Sequence, residues 1–126
     1  MSDSGRSSLP KTDEERARAH DTATAAFIEA VRAADIPDLL SLYVFGSVAR
    51  GEAEGLSSDI DVLVVVTDNA DLHSVNEPLQ EIAYSVMLNY GPPIEIHLFR
   101  EHEFRTRAER GEPFVTNVLS DAKQYV

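Results

Sequence analysis

The chain contains no cysteine and no tryptophan, and lysine occurs only as Lys11 and Lys123. Without thiols there can be no disulfide and no thiolate metal site, which leaves Asp, Glu and His as the strong ligand types. A reducing, cytoplasmic setting fits that composition. Long apolar runs are missing too: the longest, Val62–Val66, is far short of the roughly 20 residues that span a bilayer. Met1-Ser2-Asp3-Ser4 carries no basic region leading into an apolar stretch, so no secretory signal and no membrane association are expected. Positive charge is scarce, with 11 Lys plus Arg against 22 Asp plus Glu, a net charge of −11. Such a field repels a phosphate backbone, and a long nucleic acid partner is disfavoured. Acid-rich, lysine-poor surfaces also suit halophilic archaea, where molar salt screens both the self-repulsion and that repulsion of nucleic acid.

What is present suits one domain of 126 residues, long enough to remove roughly two-thirds of its unfolded surface from water. Residues 1–11 are dominated by Ser, Gly and Asp and read as a disordered tail, leaving 12–126 as the domain. Thr12 to Glu15 has the form of a capping box. The helix it opens carries Ala17, His20, Thr24, Phe27, Ile28 and Val31 on one stripe and should end before Pro37. Leu40–Phe45 reads as a strand, Ser47–Glu52 as a brief helix and Asp59–Val66 as a strand covered on both faces. Leu72 to Tyr90 has helical spacing and is broken by Gly91-Pro92-Pro93. Ile94–Phe99 is a third strand, Glu101–Arg110 a charged, ion-paired helix and Pro113–Ala122 a shorter helix. The expected class is α/β, a small mixed sheet with helices packed on it. Tyr125 is expected to pack as an apolar lid, and His20, His73 and His102 to lie at the surface.

Asp59 and Asp61 stand two apart on a predicted strand, so their side chains project from one face. Two carboxylates beside a buried run are costly unless a cation joins them, and a hard divalent ion with oxygen ligands is the natural one. Taken alone, Asp-x-Asp is better read as a loop cap followed by a solvent-facing residue. Its neighbour in the sequence changes that reading. Gly46-Ser47 ends a strand and opens a helix, where close backbone approach, a hydroxyl and free amides can hold phosphate oxygens. Arg50 follows, with phosphate or a local carboxylate such as Glu52 or Glu54 as its partner.

Tyr43-Val44-Phe45-Gly46-Ser47-Val48-Ala49-Arg50-Gly51, followed by Ser57-Ser58-Asp59-Ile60-Asp61-Val62-Leu63-Val64, is similar to the signature of the DNA polymerase β-like nucleotidyltransferase superfamily. The Gly-Ser-x-Ala-Arg-Gly wording and the short length resemble its minimal nucleotidyltransferases, the MNT group. The resemblance implies that Asp59 and Asp61 bind two Mg²⁺ ions bridging a nucleoside triphosphate, while Gly46 and Ser47 hold the terminal phosphates. It also implies a third carboxylate on a later strand, and Glu95 in Pro93-Ile94-Glu95-Ile96-His97 takes that place. Many relatives carry Asp there, one methylene shorter. His97 shares a face with Glu95 and reads either as structural or as touching substrate or metal.

The activity so implied is transfer of AMP from ATP to a hydroxyl. Larger relatives add a helical domain that completes the acceptor pocket. Here half of that pocket is expected from another chain, a small helical HEPN toxin adenylylated on a tyrosine, with this chain as its antitoxin, or from a homodimer partner. A non-catalytic nucleotide-binding antitoxin acting by occlusion, and a transferase for a small antibiotic or sugar, are the alternatives.

Overall fold

The computed structural model describes residues 13–45 and 59–126. Helix α1 (Asp13–Ala34) is followed by strands β1 (Leu39–Phe45) and β2 (Ile60–Val66), then helix α2 (Leu72–Tyr90) and strand β3 (Ile94–Arg100). Helices α3 (Glu101–Glu109) and α4 (Pro113–Asp121) and a two-residue strand β4 (Lys123–Gln124) complete the chain. The sheet runs β3-β2-β1-β4. β1 is antiparallel to both β2 and β4, whereas β2 and β3 are parallel. Two parallel neighbours need a crossover, and α2 supplies it. This is the small mixed sheet with packed helices expected from the sequence, and among the described residues no helix is long and apolar enough to cross a membrane.

Strand alternation sends successive side chains to opposite faces, and here both faces are covered. Leu42 and Val44 of β1 and Ile60, Val62, Val64 and Val66 of β2 form the main core with Phe27, Ile28 and Val31 of α1 and Val75, Leu79 and Val86 of α2. The opposite face carries Leu63 and Val65, which pack with Val118 of α4 and a shell of Tyr43, Phe45, Phe99, Phe104 and Phe114. That shell is a chain of ring contacts: Tyr43 on Phe104 at 5.9 Å, Phe99 on Phe104 at 6.4 Å and Phe99 on Phe114 at 6.2 Å between centroids. Arg107 caps it, its guanidinium 5.1 Å from the Phe99 ring centre while it also pairs with Glu103 and Glu112. The doubly buried strand expected around Val62–Val66 is therefore the centre of the molecule.

Local chemistry sets the element ends. Asp71 caps α2, accepting from the His73 amide at 3.1 Å and the Ser74 hydroxyl at 3.0 Å; these bonds hold its carboxyl below the ordinary aspartate range. Gly91 closes the helix at φ 113°, a conformation that L side chains rarely adopt. The Arg100 guanidinium donates to the Asp68 and Ala70 carbonyls, which fastens the end of β3 to the turn after β2. Tyr125, expected as an apolar lid, is half-buried against the main core, and its amide donates to the Leu42 carbonyl at 2.8 Å.

One expectation needs correction, and several fall outside the described residues. His20 is buried, only 3% exposed, rather than at the surface. The cause is its own spacing, because it sits on the stripe that carries Thr24, Phe27 and Val31 inward. His73 and His102 are exposed as expected. The tail 1–11, the brief helix Ser47–Glu52, and Gly46, Ser47 and Arg50 fall outside the described residues.

Phe27→Ala should cost about 3–5 kcal/mol, the usual range for emptying a fully buried aromatic site, since Phe27 is wholly buried between α1 and the sheet. Tyr84→Ala, on the exposed side of α2, should change stability by no more than about 0.5 kcal/mol. Urea unfolding of both variants measures the contrast.

Candidate active site

The parallel ladder between β2 and β3 pairs Ile60 with Ile94, Asp61 with Glu95, Val62 with Ile96 and Leu63 with His97. On the other side of β2, Phe45 of β1 is the partner of Asp61, and Tyr43 that of Leu63. The sheet thus presents Phe45, Asp61 and Glu95 in one row across three strands, with Tyr43, Leu63 and His97 in the next row on the same face. The hydrogen bond from the Ile60 amide to the Pro93 carbonyl, 2.9 Å, fixes this register at the mouth of the two strands. A slip of one residue would send Asp61 into the apolar core behind the sheet.

Among the described residues, Asp61, Glu95 and His97 form a group of three whose ligand atoms all lie within 4.8 Å of one another. His97 Nε2 is 4.0 Å from Asp61 Oδ1 and 4.0 Å from Glu95 Oε2. These distances exceed hydrogen-bonding range, so His97 is hydrogen-bonded to neither carboxylate. Asp61 and His97 are half-buried, while Glu95 is exposed. Asp59 precedes β2, is exposed and stands outside the trio, although its charge still reaches Asp61.

The electrostatics are strained in one direction. Burial raises the Asp61 carboxyl above its ordinary 3.8, and the charges of Glu95 and Asp59 raise it further. His97 pulls it back, but less than burial and Glu95 push, so the balance is a net rise. A nearby positive charge would lower that cost. The donor set fits a divalent metal: two carboxylates and an imidazole, mutually within reach of one ion, with a charge excess that a cation would relieve.

The ring of His97 is held by aromatic neighbours, Phe45 and Phe114, each with its centroid 5.6 Å away. Phe114 meets Phe45 edge-on at 5.6 Å, so helix α4 walls the site where β1 ends. Sequence reasoning set Asp59, Asp61 and Glu95 together as the acidic trio and left His97 between two readings. The structure clusters His97, not Asp59, with the other two. The signal was present in the alternation of Ile94-Glu95-Ile96-His97, which puts His97 two residues along the same face. It lacked only the partner strand's register.

Because the folded chain raises Asp61, the sign of its pH effect is opposite to that of a paired carboxylate. Below 3.8 the group is neutral in both states and contributes nothing. As pH rises from 3.8 through the raised native value, only the unfolded chain ionises, and stability falls; above that value the cost persists. Asp61→Asn should therefore stabilise the metal-free protein at pH 7, with the gain vanishing toward pH 3. Denaturant melts of both proteins across that range provide the measurement, and destabilisation at pH 7 would contradict the charge-crowding account.

Comparison with known proteins bears on the fold and the family. One similar structure is a chain of a toxin-antitoxin crystallised with AMP-PNP, at TM-score 0.52 and 22% identity over 81% of this chain and 71% of that one. Another, from the complex of a tri-AMPylated Shewanella oneidensis HEPN toxin with MNT antitoxin, aligns at TM-score 0.47 and 20% identity, over 85% of this chain and 71% of that one. No curated protein sequence matches significantly. Residues 26–126, which include all four strands and the Asp61–Glu95 pair, match the sequence profile described as nucleotidyltransferase domain. The chain belongs to the nucleotidyltransferase domain family.

Proposed function

We propose that this domain transfers AMP from ATP, with Mg²⁺, to a hydroxyl on a protein partner, a tyrosine of a small helical HEPN toxin, and thereby acts as its antitoxin. The observation that carries the reading is the placement of Asp61 and Glu95 as ladder partners on one face, with a charge excess at Asp61. The resemblance to the polymerase β-like signature implies that such a pair receives the metal-bound triphosphate. Two further points support it. Gly46 and Ser47 follow in the chain directly on Phe45, the ladder partner of Asp61. The fold is also that of a chain from a toxin-antitoxin solved with AMP-PNP.

In this reading Asp59, Asp61 and Glu95 hold two Mg²⁺ ions, Gly46 and Ser47 cradle the terminal phosphates, and Arg50 pairs with a phosphate. The bound ions supply charge neutralisation and orientation of the triphosphate. The acceptor oxygen attacks the α-phosphorus in line, a new O–P bond forms, the bond to the β-phosphate oxygen breaks and pyrophosphate leaves. Glu95, more exposed than Asp61, takes the proton from the attacking hydroxyl. Asp61, on the central strand, fixes the position of the reacting phosphate.

The net charge of −11 favours an acceptor other than a long nucleic acid. It fits a partner with a basic docking face, which would complete the acceptor side of the site. The compartment consistent with a cysteine-free chain is the cytoplasm, and the acid-rich surface suits a high-salt one.

Incubation with α-labelled ATP and Mg²⁺ should label a protein that co-purifies from the native cell. Asp61→Ala should lower transfer by about a hundredfold or more, since several kcal/mol of metal-borne stabilisation are lost, while partner binding persists. A wild-type chain that binds its partner and nucleotide yet transfers no label would favour occlusion instead.

A further inference from the structure

We propose that His97 is a direct ligand to the divalent cation of the Asp61–Glu95 pair, and that it biases the site toward first-row transition ions such as Mn²⁺ over Mg²⁺. The inference rests on the metal-dependent reading above and adds a residue that the acidic trio leaves out.

Geometry comes first. His97 Nε2 stands at the same distance, 4.0 Å, from one oxygen of Asp61 and one of Glu95. A hydrogen bond to either carboxylate would have drawn it closer to one of them. Ligand atoms bound to one ion at about 2.0–2.2 Å, at octahedral or tetrahedral angles, lie roughly 2.8–3.6 Å apart. The two 4.0 Å separations lie a little beyond that spacing, and small side-chain rotations of His97, Asp61 and the exposed Glu95 close the difference.

The second observation is the way the imidazole is held. Rings of Phe45 and Phe114 flank it at 5.6 Å each, and the side chain is 30% exposed. A solvent-facing histidine on a strand needs no such aromatic seat. A ligating histidine gains from a fixed ring orientation, and packing against Phe45 and Phe114 restricts the ring of His97. Phe114 lies in the first turn of α4, whose Val115 and Val118 are buried, so the wall is anchored in the core.

Chemistry supplies the selectivity. Mg²⁺ takes oxygen ligands in a near-ideal octahedron and keeps several waters. A set of two carboxylates and one imidazole instead suits ions that accept nitrogen and oxygen together. The direct consequence is a site that still works with Mg²⁺ through its carboxylates but holds Mn²⁺ more tightly through His97.

Pulsed electron paramagnetic resonance of bound Mn²⁺ tests this. Mn²⁺ is added alone and with inorganic tripolyphosphate, which contains no nitrogen of its own. The expected result is ¹⁴N modulation from a coordinated imidazole in the wild type and its loss in His97→Gln. Mn²⁺ affinity should also fall at least as far as the about 10–100-fold typical for losing an outer-shell partner, with a smaller loss for Mg²⁺. If His97→Gln does not fold, a chain carrying His73→Gln and His102→Gln with ¹⁵N-labelled histidine replaces it, and the modulation should change to the ¹⁵N pattern. Mn²⁺ that binds in an Asp61-dependent way without nitrogen modulation overturns the His97 assignment, and so does modulation that survives His97→Gln. Label transfer with Mg²⁺ in a protein lacking the modulation would leave the transferase reading standing; modulation without label transfer would do the reverse. Absence of any Mn²⁺ binding overturns the assignment together with the metal dependence.

Discussion

The parallel pairing of β2 with β3 governs the rest of the molecule. It makes Asp61 and Glu95 direct neighbours across the ladder, and it requires α2 as the crossover, which in turn covers the main core. Register is the sensitive quantity, since side chains alternate with a period of two. The apolar residues of β2 lock it: Val62, Val64 and Val66 are anchored on one face and Leu63 and Val65 on the other, all at most 4% exposed. A strand buried on both sides cannot slip without exposing one set and interring a carboxylate. The hydrophobic core is therefore what holds the acidic groups at their spacing.

That division of labour explains where stability and chemistry part. The main core binds α1 and α2 to the back of the sheet. The aromatic cluster beneath α3 and α4 lies on the same face as the trio, and its Phe45 and Phe114 reach His97. Asp61 has its proton affinity raised chiefly by burial, so the cluster that shields the site also stores its charge excess.

Much of this was legible in the sequence, for a physical reason. The long helices and β2 carry strong periodic signals, and Gly91, Pro92 and Pro93 mark an end that the chain respects. The nearness of Asp61 to Glu95 could be inferred only through resemblance, because strand order and direction are decided by pairing across distant segments. β4 escaped notice since Lys123 and Gln124 have no apolar period; the strand exists because it meets Tyr43 and Val44. His20 was misjudged by residue type, when its place on the apolar stripe of α1 argued for burial. His97 showed the opposite problem: its face was readable from alternation, but its aromatic seat draws on Phe45 and Phe114, which lie far apart in the chain.

The position of β3 at the margin of the sheet has one more consequence. Among the described residues β3 has a strand neighbour on one side only, whereas β2 is flanked on both. Outer strands yield to local fluctuation more readily than inner ones. Glu95 and His97 therefore ride on the pliant member of the pair, and Asp61 on the stiff one.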